Sequence, residues 1–182
     1  MRRGVRLAVD VGSVRVGVAR CDPDGMLAVP ECTLARAADS DGPATDIDQL
    51  AELVAEYRAF EVLIGLPLTL AGAEGPAAAA ARGYAEAVAR RVAPVGVRLV
   101  DERLSTVTAA RSMRDAGRKQ RRSRPVIDQA AAVVILQAAL DAERATGRPP
   151  GQPVASTTTA RQGGQGDDAG ESGAQRAEAP PS

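Results

Sequence analysis

The order of residue types predicts an α/β fold, a mixed sheet with helices on both faces. Between Arg6 and Thr33, three β-rich segments follow one another with only tight turns between them. Strands joined that way pair as an antiparallel meander. From Ile47 onward, short apolar runs alternate with stretches of helical periodicity. Such strand–helix units build a sheet whose faces are clothed by helices. The composition is globular and the length suits one domain: 182 residues, 45% hydrophobic and 25% charged.

Each element has its own signal. Arg6-Leu7-Ala8-Val9-Asp10-Val11 is a short apolar run ending in an acid, and Gly12-Ser13 turns the chain. Val14 to Arg20 is β-rich and partly alternating. Asp22-Pro23-Asp24-Gly25 is a turn, and Met26 to Thr33 reads as the third strand. Thr45 with Asp48 forms a capping pair, followed by an apolar stripe of Ile47, Leu50, Leu53, Val54 and Tyr57 at helical spacing. Glu61 to Leu66 is a buried strand stopped by Gly65 and Pro67, with the wall of a cleft as the other role for Gly65. Gly75-Pro76 opens an Ala-rich helix to Val92, and Val97 to Asp101 is the fifth strand. Thr106 to Ala116 looks helical. Pro125 starts the last helix, which runs to Thr146 and stops at Gly147. From Gly151 to Ser182 the only apolar residues are Val154 and several Ala. Such a segment cannot bury enough area to offset its conformational entropy. The folded domain is therefore expected over residues 1–148 and a disordered tail over residues 149–182.

Composition also removes whole classes of chemistry. There is no His, which excludes a histidine general base, a Ser/His/Asp triad and His-ligated zinc. Cys21 and Cys32 match no metal spacing and read as two free thiols in a reducing compartment. No leader and no membrane-length apolar run is visible, so a soluble cytoplasmic protein is expected. Formal net charge is zero, from 23 basic and 23 acidic residues. The charges are nevertheless clustered. Arg111 to Arg124 holds Arg111, Arg114, Arg118, Lys119, Arg121, Arg122 and Arg124 against the single acid Asp115. That is an electrostatic footprint for phosphates, and the lack of an interleaved aromatic favours backbone contact over base stacking. A solvated surface loop is the plainer alternative.

Acids fall where structure changes. Asp10 ends the first strand, Asp101 and Glu102 end the fifth, and Asp128 lies in the first turn of the last helix. Ligands of open α/β sheets bind beyond strand ends. Asp128 shares its helical face with Ala131, Ala132 and Ile135, so it is expected to face the body of the protein. Converging acids with no His or Lys among them suit a hard divalent cation, Mg²⁺ or Mn²⁺. Each acid also has a structural reading: a turn acid for Asp10, an Arg103 partner for Asp101 or Glu102, and helix-dipole compensation for Asp128. The Gly-rich segment Asp10 to Gly17 is neither a Walker loop nor a dinucleotide fingerprint.

Four segments, LAVDVGSVRVGVA (7–19), VLIGLPLTLAGAEGP (62–76), VDERLSTVTA (100–109) and VIDQAAAVVILQAALD (126–141), resemble the YqgF/RuvX family in the right order. The resemblance implies a ribonuclease H-like fold and a metal-dependent nuclease, hydrolysing phosphodiester bonds with one or two Mg²⁺ or Mn²⁺ ions. It implies 5′-end maturation of pre-16S ribosomal RNA, or Holliday junction resolution. Asp10, Glu102 and Asp128 would be the catalytic metal ligands, with Asp101 as the substitute for Glu102. Arg15 would touch phosphate, as would Arg118, Lys119, Arg121 and Arg122 in the basic stretch before the last helix. The expected partners are RNA or structured DNA and a ribosome precursor, with no membrane, for a monomer or a homodimer. The sugar-kinase and actin-like ATPases of the same fold class need a two-domain clamp for which this chain is too short. A non-catalytic RNA-binding assembly factor is the remaining alternative.

Overall fold

A computed structural model of the chain describes residues 2–37, 45–69, 71–104 and 124–155; for 45, 104 and 124–128 it gives the backbone alone. The elements are β1 (Arg6–Val11), β2 (Arg15–Cys21), β3 (Ala28–Ala35), α1 (Thr45–Glu56), β4 (Glu61–Leu66), α2 (Pro76–Val92), β5 (Gly96–Asp101), a single 3-10 turn (Glu102–Leu104), α3 (Arg124–Thr146) and β6 (Gln152–Pro153). One sheet takes the order β3-β2-β1-β4-β5-β6. The first three strands form the expected antiparallel meander. β1, β4 and β5 run parallel, and β6 returns antiparallel along β5. The helix expected over Thr106–Ala116 lies outside the described residues, as does the basic run up to Ser123.

The central strands β1 and β4 are buried on both faces, which explains why they read as near-continuous apolar runs rather than as alternation. Side chains alternate between two cores. On one face Leu7, Val9, Val16, Val18, Val62, Ile64 and Leu99 meet Leu50 and Val54 of α1 and the Ala81, Ala85 and Val88 stripe of α2. On the other, Ala8, Ala19, Cys21, Ala28, Leu63 and Val100 meet Ala132, Ile135, Leu136, Ala139 and Leu140 of α3. This second core is built largely of small side chains, so α3 seats directly on the sheet. That seating makes the end of the sheet beneath the start of α3 a narrow space.

Two boundaries differ from expectation. The third strand begins at Ala28, not Met26, because the Asp22 carboxylate accepts bonds from the N–H groups of Asp24, Met26 and Leu27. Those bonds draw Met26 and Leu27 into the turn. At the other end, the folded body continues past residue 148. Arg98 donates to the carbonyls of Pro150 (2.6 Å) and Gly151 (2.7 Å), Gln152–Pro153 pairs with Arg98–Leu99, and Val154 packs on the α1/α2 core. Gly151 sits at φ +68°, and a β-carbon there would strike the Leu99 carbonyl. Backbone pairing, which a composition argument does not register, carries this segment. Residues 156–182 lie outside the described residues. Among the described residues, no helix is long and apolar enough to cross a membrane.

Candidate active site

Asp10 closes β1 at its C-terminal end and is 1% exposed. It sits opposite Gly17 of β2, and Gly17 sits opposite Thr33 of β3. By alternation all three lie on the face that α3 covers. Gln129, in the first turns of α3, donates to the Thr33 hydroxyl at 3.2 Å, tying the start of that helix to this row.

The row continues across β4. Val9 pairs with Ile64, so Gly65 flanks Asp10, and Gly65 in turn pairs with Val100 of β5. Glu102, just past β5, is 5% exposed. Its Oε1 occupies the space that a side chain at position 65 would fill: a β-carbon on Gly65 would run into that oxygen and stand 2.7 Å from Cδ1 of Ile135. The missing side chain of Gly65 is thus a notch through which the Glu102 carboxylate reaches over β4 toward β1. β4 ends at Leu66, immediately before Pro67, as the strand-stop reading of Gly65 to Leu68 expects. The contact of Gly65 with Glu102 adds the second reading, the wall of a cleft.

The adjacent acids Asp101 and Glu102 take opposite positions. Asp101 is held at the surface by Arg103: the Arg103 N–H donates to Oδ1 at 2.9 Å, and the guanidinium donates to Oδ2 at 2.7 Å. The Arg103 hydrogen bond outweighs partial burial and holds the Asp101 carboxyl below the usual carboxylate range. The solvated-pair reading therefore fits Asp101, while Glu102 turns inward to the face of Asp10.

Asp128 belongs to the first turns of α3, and its side chain lies outside those described. Ala131, Ala132 and Ile135, expected to share its face, are all buried. Among the described residues, no group of three or more Asp, Glu or Cys is placed to hold a metal. Arg15 opens β2 at the same end of the sheet as Asp10; the Gly12 N–H closes the hairpin onto the Arg15 carbonyl at 2.9 Å. Arg118, Lys119, Arg121 and Arg122 lie outside the described residues.

Sequence reasoning missed a second charged cluster, at the opposite end of α3. Arg6 and Glu143 are buried, joined at 3.1 Å, with Glu61 and Arg2 completing the group. Arg2 and Arg6 also lie over the ring of Phe60, 5.3 and 4.6 Å from its centre. A signal was present: Arg6 and Glu61 are charged residues opening otherwise apolar strands, and they are register partners.

The profile of RuvX, described as Holliday junction resolvase, matches residues 4–142. A Streptomyces coelicolor protein named "Putative pre-16S rRNA nuclease" is 56% identical over 154 residues, covering 85% of this chain and 90% of that protein. The chain belongs to the RuvX family. A second RuvX relative of the same name, from Thermobifida fusca, is also 56% identical and is covered over 99% of its length. Among solved structures, T. thermophilus RuvC in complex with Holliday junction substrate aligns over 83% of this chain and 99% of that one, with TM-score 0.51 and 16% identity. That likeness carries the fold, the ribonuclease H-like sheet that the sequence resemblance implied. The RuvX match includes all four segments quoted above. Their described residues lie in the β1–β2 hairpin, in β4 with its exit loop, in the end of β5 with the 3-10 turn, and in α3.

Proposed function

We propose that this chain is a metal-dependent nuclease acting in 5′-end maturation of pre-16S ribosomal RNA. The observation that carries the reading is the pair of buried carboxylates, Asp10 and Glu102, set on one face of the sheet across the notch at Gly65. It comes in a chain 56% identical to relatives named for that activity.

Whether a metal fits can be judged from the notch. Gly65 admits a carboxylate oxygen where any other residue would place carbon, and the donors around it are oxygens. Oxygen donors without His or thiolate suit Mg²⁺ or Mn²⁺. Asp10, Glu102 and, from its place on α3, Asp128 would hold the ion. When bound, it supplies Lewis-acid activation of the phosphate and an acidic water at neutral pH. The residues do the rest. Asp10, near the end of β1, and Glu102, in the turn just past β5, fix the position of charge at one end of the sheet. Ile135 walls the site with apolar surface and keeps water from its α3 side. Arg15, at the mouth, orients a phosphate. The basic residues Arg118, Lys119, Arg121 and Arg122 hold the nucleic-acid backbone without taking part in bond cleavage. No side chain need act as general base, consistent with a chain without His. A cytoplasmic location and a ribosome-precursor partner follow from the substrate.

The test is cleavage of a pre-16S 5′-leader RNA by the purified full chain with Mg²⁺ or Mn²⁺, beside a four-way DNA junction and the Asp10→Asn variant. Metal-dependent RNA cleavage lost in Asp10→Asn is expected. Cleavage of the junction alone would make the chain a resolvase. Tight RNA binding with no cleavage of either substrate would make it an assembly factor.

A further inference from the structure

We infer that Asp101 is the positioning residue for Glu102, acting through the backbone of the 3-10 turn and through Arg103. The inference rests on the reading of Glu102 as a metal ligand and adds the means by which that side chain is aimed.

Glu102 has no helix or strand of its own to orient it; it is the first residue of a three-residue turn. Such a short turn has little intrinsic stability, and its end groups must be satisfied from outside. Asp101 supplies this. Its Oδ1 accepts the Arg103 N–H at 2.9 Å, the geometry of a side chain capping the turn that follows it. With residue 103 fixed to residue 101 in this way, the residue between them has one direction left, into the protein over Gly65.

A second arm holds the cap itself. The Arg103 guanidinium donates through Nε to both carboxylate oxygens of Asp101, at 3.1 and 3.0 Å, and through Nη2 to Oδ2 at 2.7 Å. The same guanidinium lies against Gly72, where a β-carbon would come within 3.1 Å of Nη1. Gly72 belongs to the loop that leaves β4, closed by bonds between Thr69 and Ala73 (2.9 Å) and between Gly72 and Thr69 (2.8 Å). The clamp therefore links the end of β5 to the exit of β4, the two strands between which Glu102 reaches. Its tie to Asp101 also makes Arg103 a structural partner rather than a phosphate contact.

The readout is Mn²⁺ affinity of the full chain by calorimetry without nucleic acid, with the melting temperature of each variant measured metal-free. Asp101→Ala loses both arms and should bind Mn²⁺ at least roughly tenfold more weakly, the lower end of the effect of outer partners on metal affinity. Asp101→Asn and Arg103→Ala keep the bond to the residue 103 N–H and lose the charged arm, so each should weaken binding several-fold and less than Asp101→Ala. Wild-type affinity in Asp101→Ala would overturn the inference. If that variant does not fold, the other two decide: several-fold loss in both supports the clamp, and wild-type affinity in both overturns it. An Asp101 variant as impaired as Glu102→Gln would make Asp101 a ligand and also overturn the inference. Wild-type affinity in Glu102→Gln would instead sink the reading of Glu102 itself.

Discussion

At the scale of single residues, the candidate site depends on one absent side chain as much as on two present ones. Asp10→Asn and Glu102→Gln should each reduce cleavage by more than the roughly 10–100-fold typical of residues that only support a metal ligand. Both substitutions are close in size to the native side chain, so both variants should remain folded. A cleavage assay with a thermal melt checks this. Gly65→Ala is the sharper experiment. Its methyl group would meet the Glu102 carboxylate and Ile135, and overpacking of this kind costs about 1–3 kcal/mol. Activity should fall nearly as far as in Glu102→Gln while the protein stays folded; full activity would show that the Glu102 position tolerates displacement. Asp10 was legible because an acid ending an apolar strand is an anomaly in the sequence. The preference for Glu102 over Asp101 came from the family resemblance and not from the residues, because adjacent residues in a turn can point to either face, and the Arg103 bonds that hold Asp101 are three-dimensional. Nor does the spacing of the sequence show that position 65 must be empty.

At the scale of the element, α3 is held at both ends by different means. Its start is tied through Gln129 to Thr33, beside the proposed metal site. Its end is fixed by the buried ion cluster of Glu143 with Arg6 and Arg2. Glu143→Ala leaves Arg6 with Glu61 as its remaining acidic partner, and should destabilise the protein measurably in chemical denaturation. Burial alone would push the Glu143 carboxyl up; the hydrogen bonds from Arg2 and the charges of Arg6 and Arg2 outweigh it and hold the group below its ordinary 4.5. A carboxyl held low in the folded state contributes its stability in full above that ordinary value and loses it as the pH falls through the lowered one. Melting temperature should therefore decline below about pH 4.5 less steeply in Glu143→Gln than in the parent. Parallel acid limbs would show that the cluster is not the titrating element. The inward face of Ala131, Ala132 and Ile135 was readable from helical spacing, and the end of α3 from Gly147. The ion cluster was signalled only in part: Arg6 and Glu61 stand out as charges opening their strands, but Glu143 stands 137 residues from Arg6.

At the scale of the whole molecule, the antiparallel start and the helices on both faces followed from the succession of strands and helices, while the spatial order of the strands and the last described segment did not. Truncation distinguishes the two parts of the expected tail. Removing 156–182 should leave the melting temperature unchanged. Removing 149–182 strips β6 and Val154 from β5 and should lower it measurably. Equal melting temperatures would mean that the β5–β6 pairing contributes nothing. The basic run acts at this scale too. Neutralising Arg118, Lys119, Arg121 and Arg122 together should flatten the salt dependence of RNA affinity, each lost phosphate contact removing roughly 0.7 from the slope of log affinity against log salt. Turnover at saturating substrate should move far less than in Asp10→Asn, and an unchanged slope would leave the run a solvated surface. The outermost strands have one more consequence. The sheet ends on β3 at one side and on β6 at the other, and each carries a proline, Pro30 and Pro153. Proline offers no N–H to a further strand, so neither border is a good template for a foreign chain. A foreign strand laid along either border would meet one residue with no N–H to give, a brake on sheet joining sheet in a crowded solution.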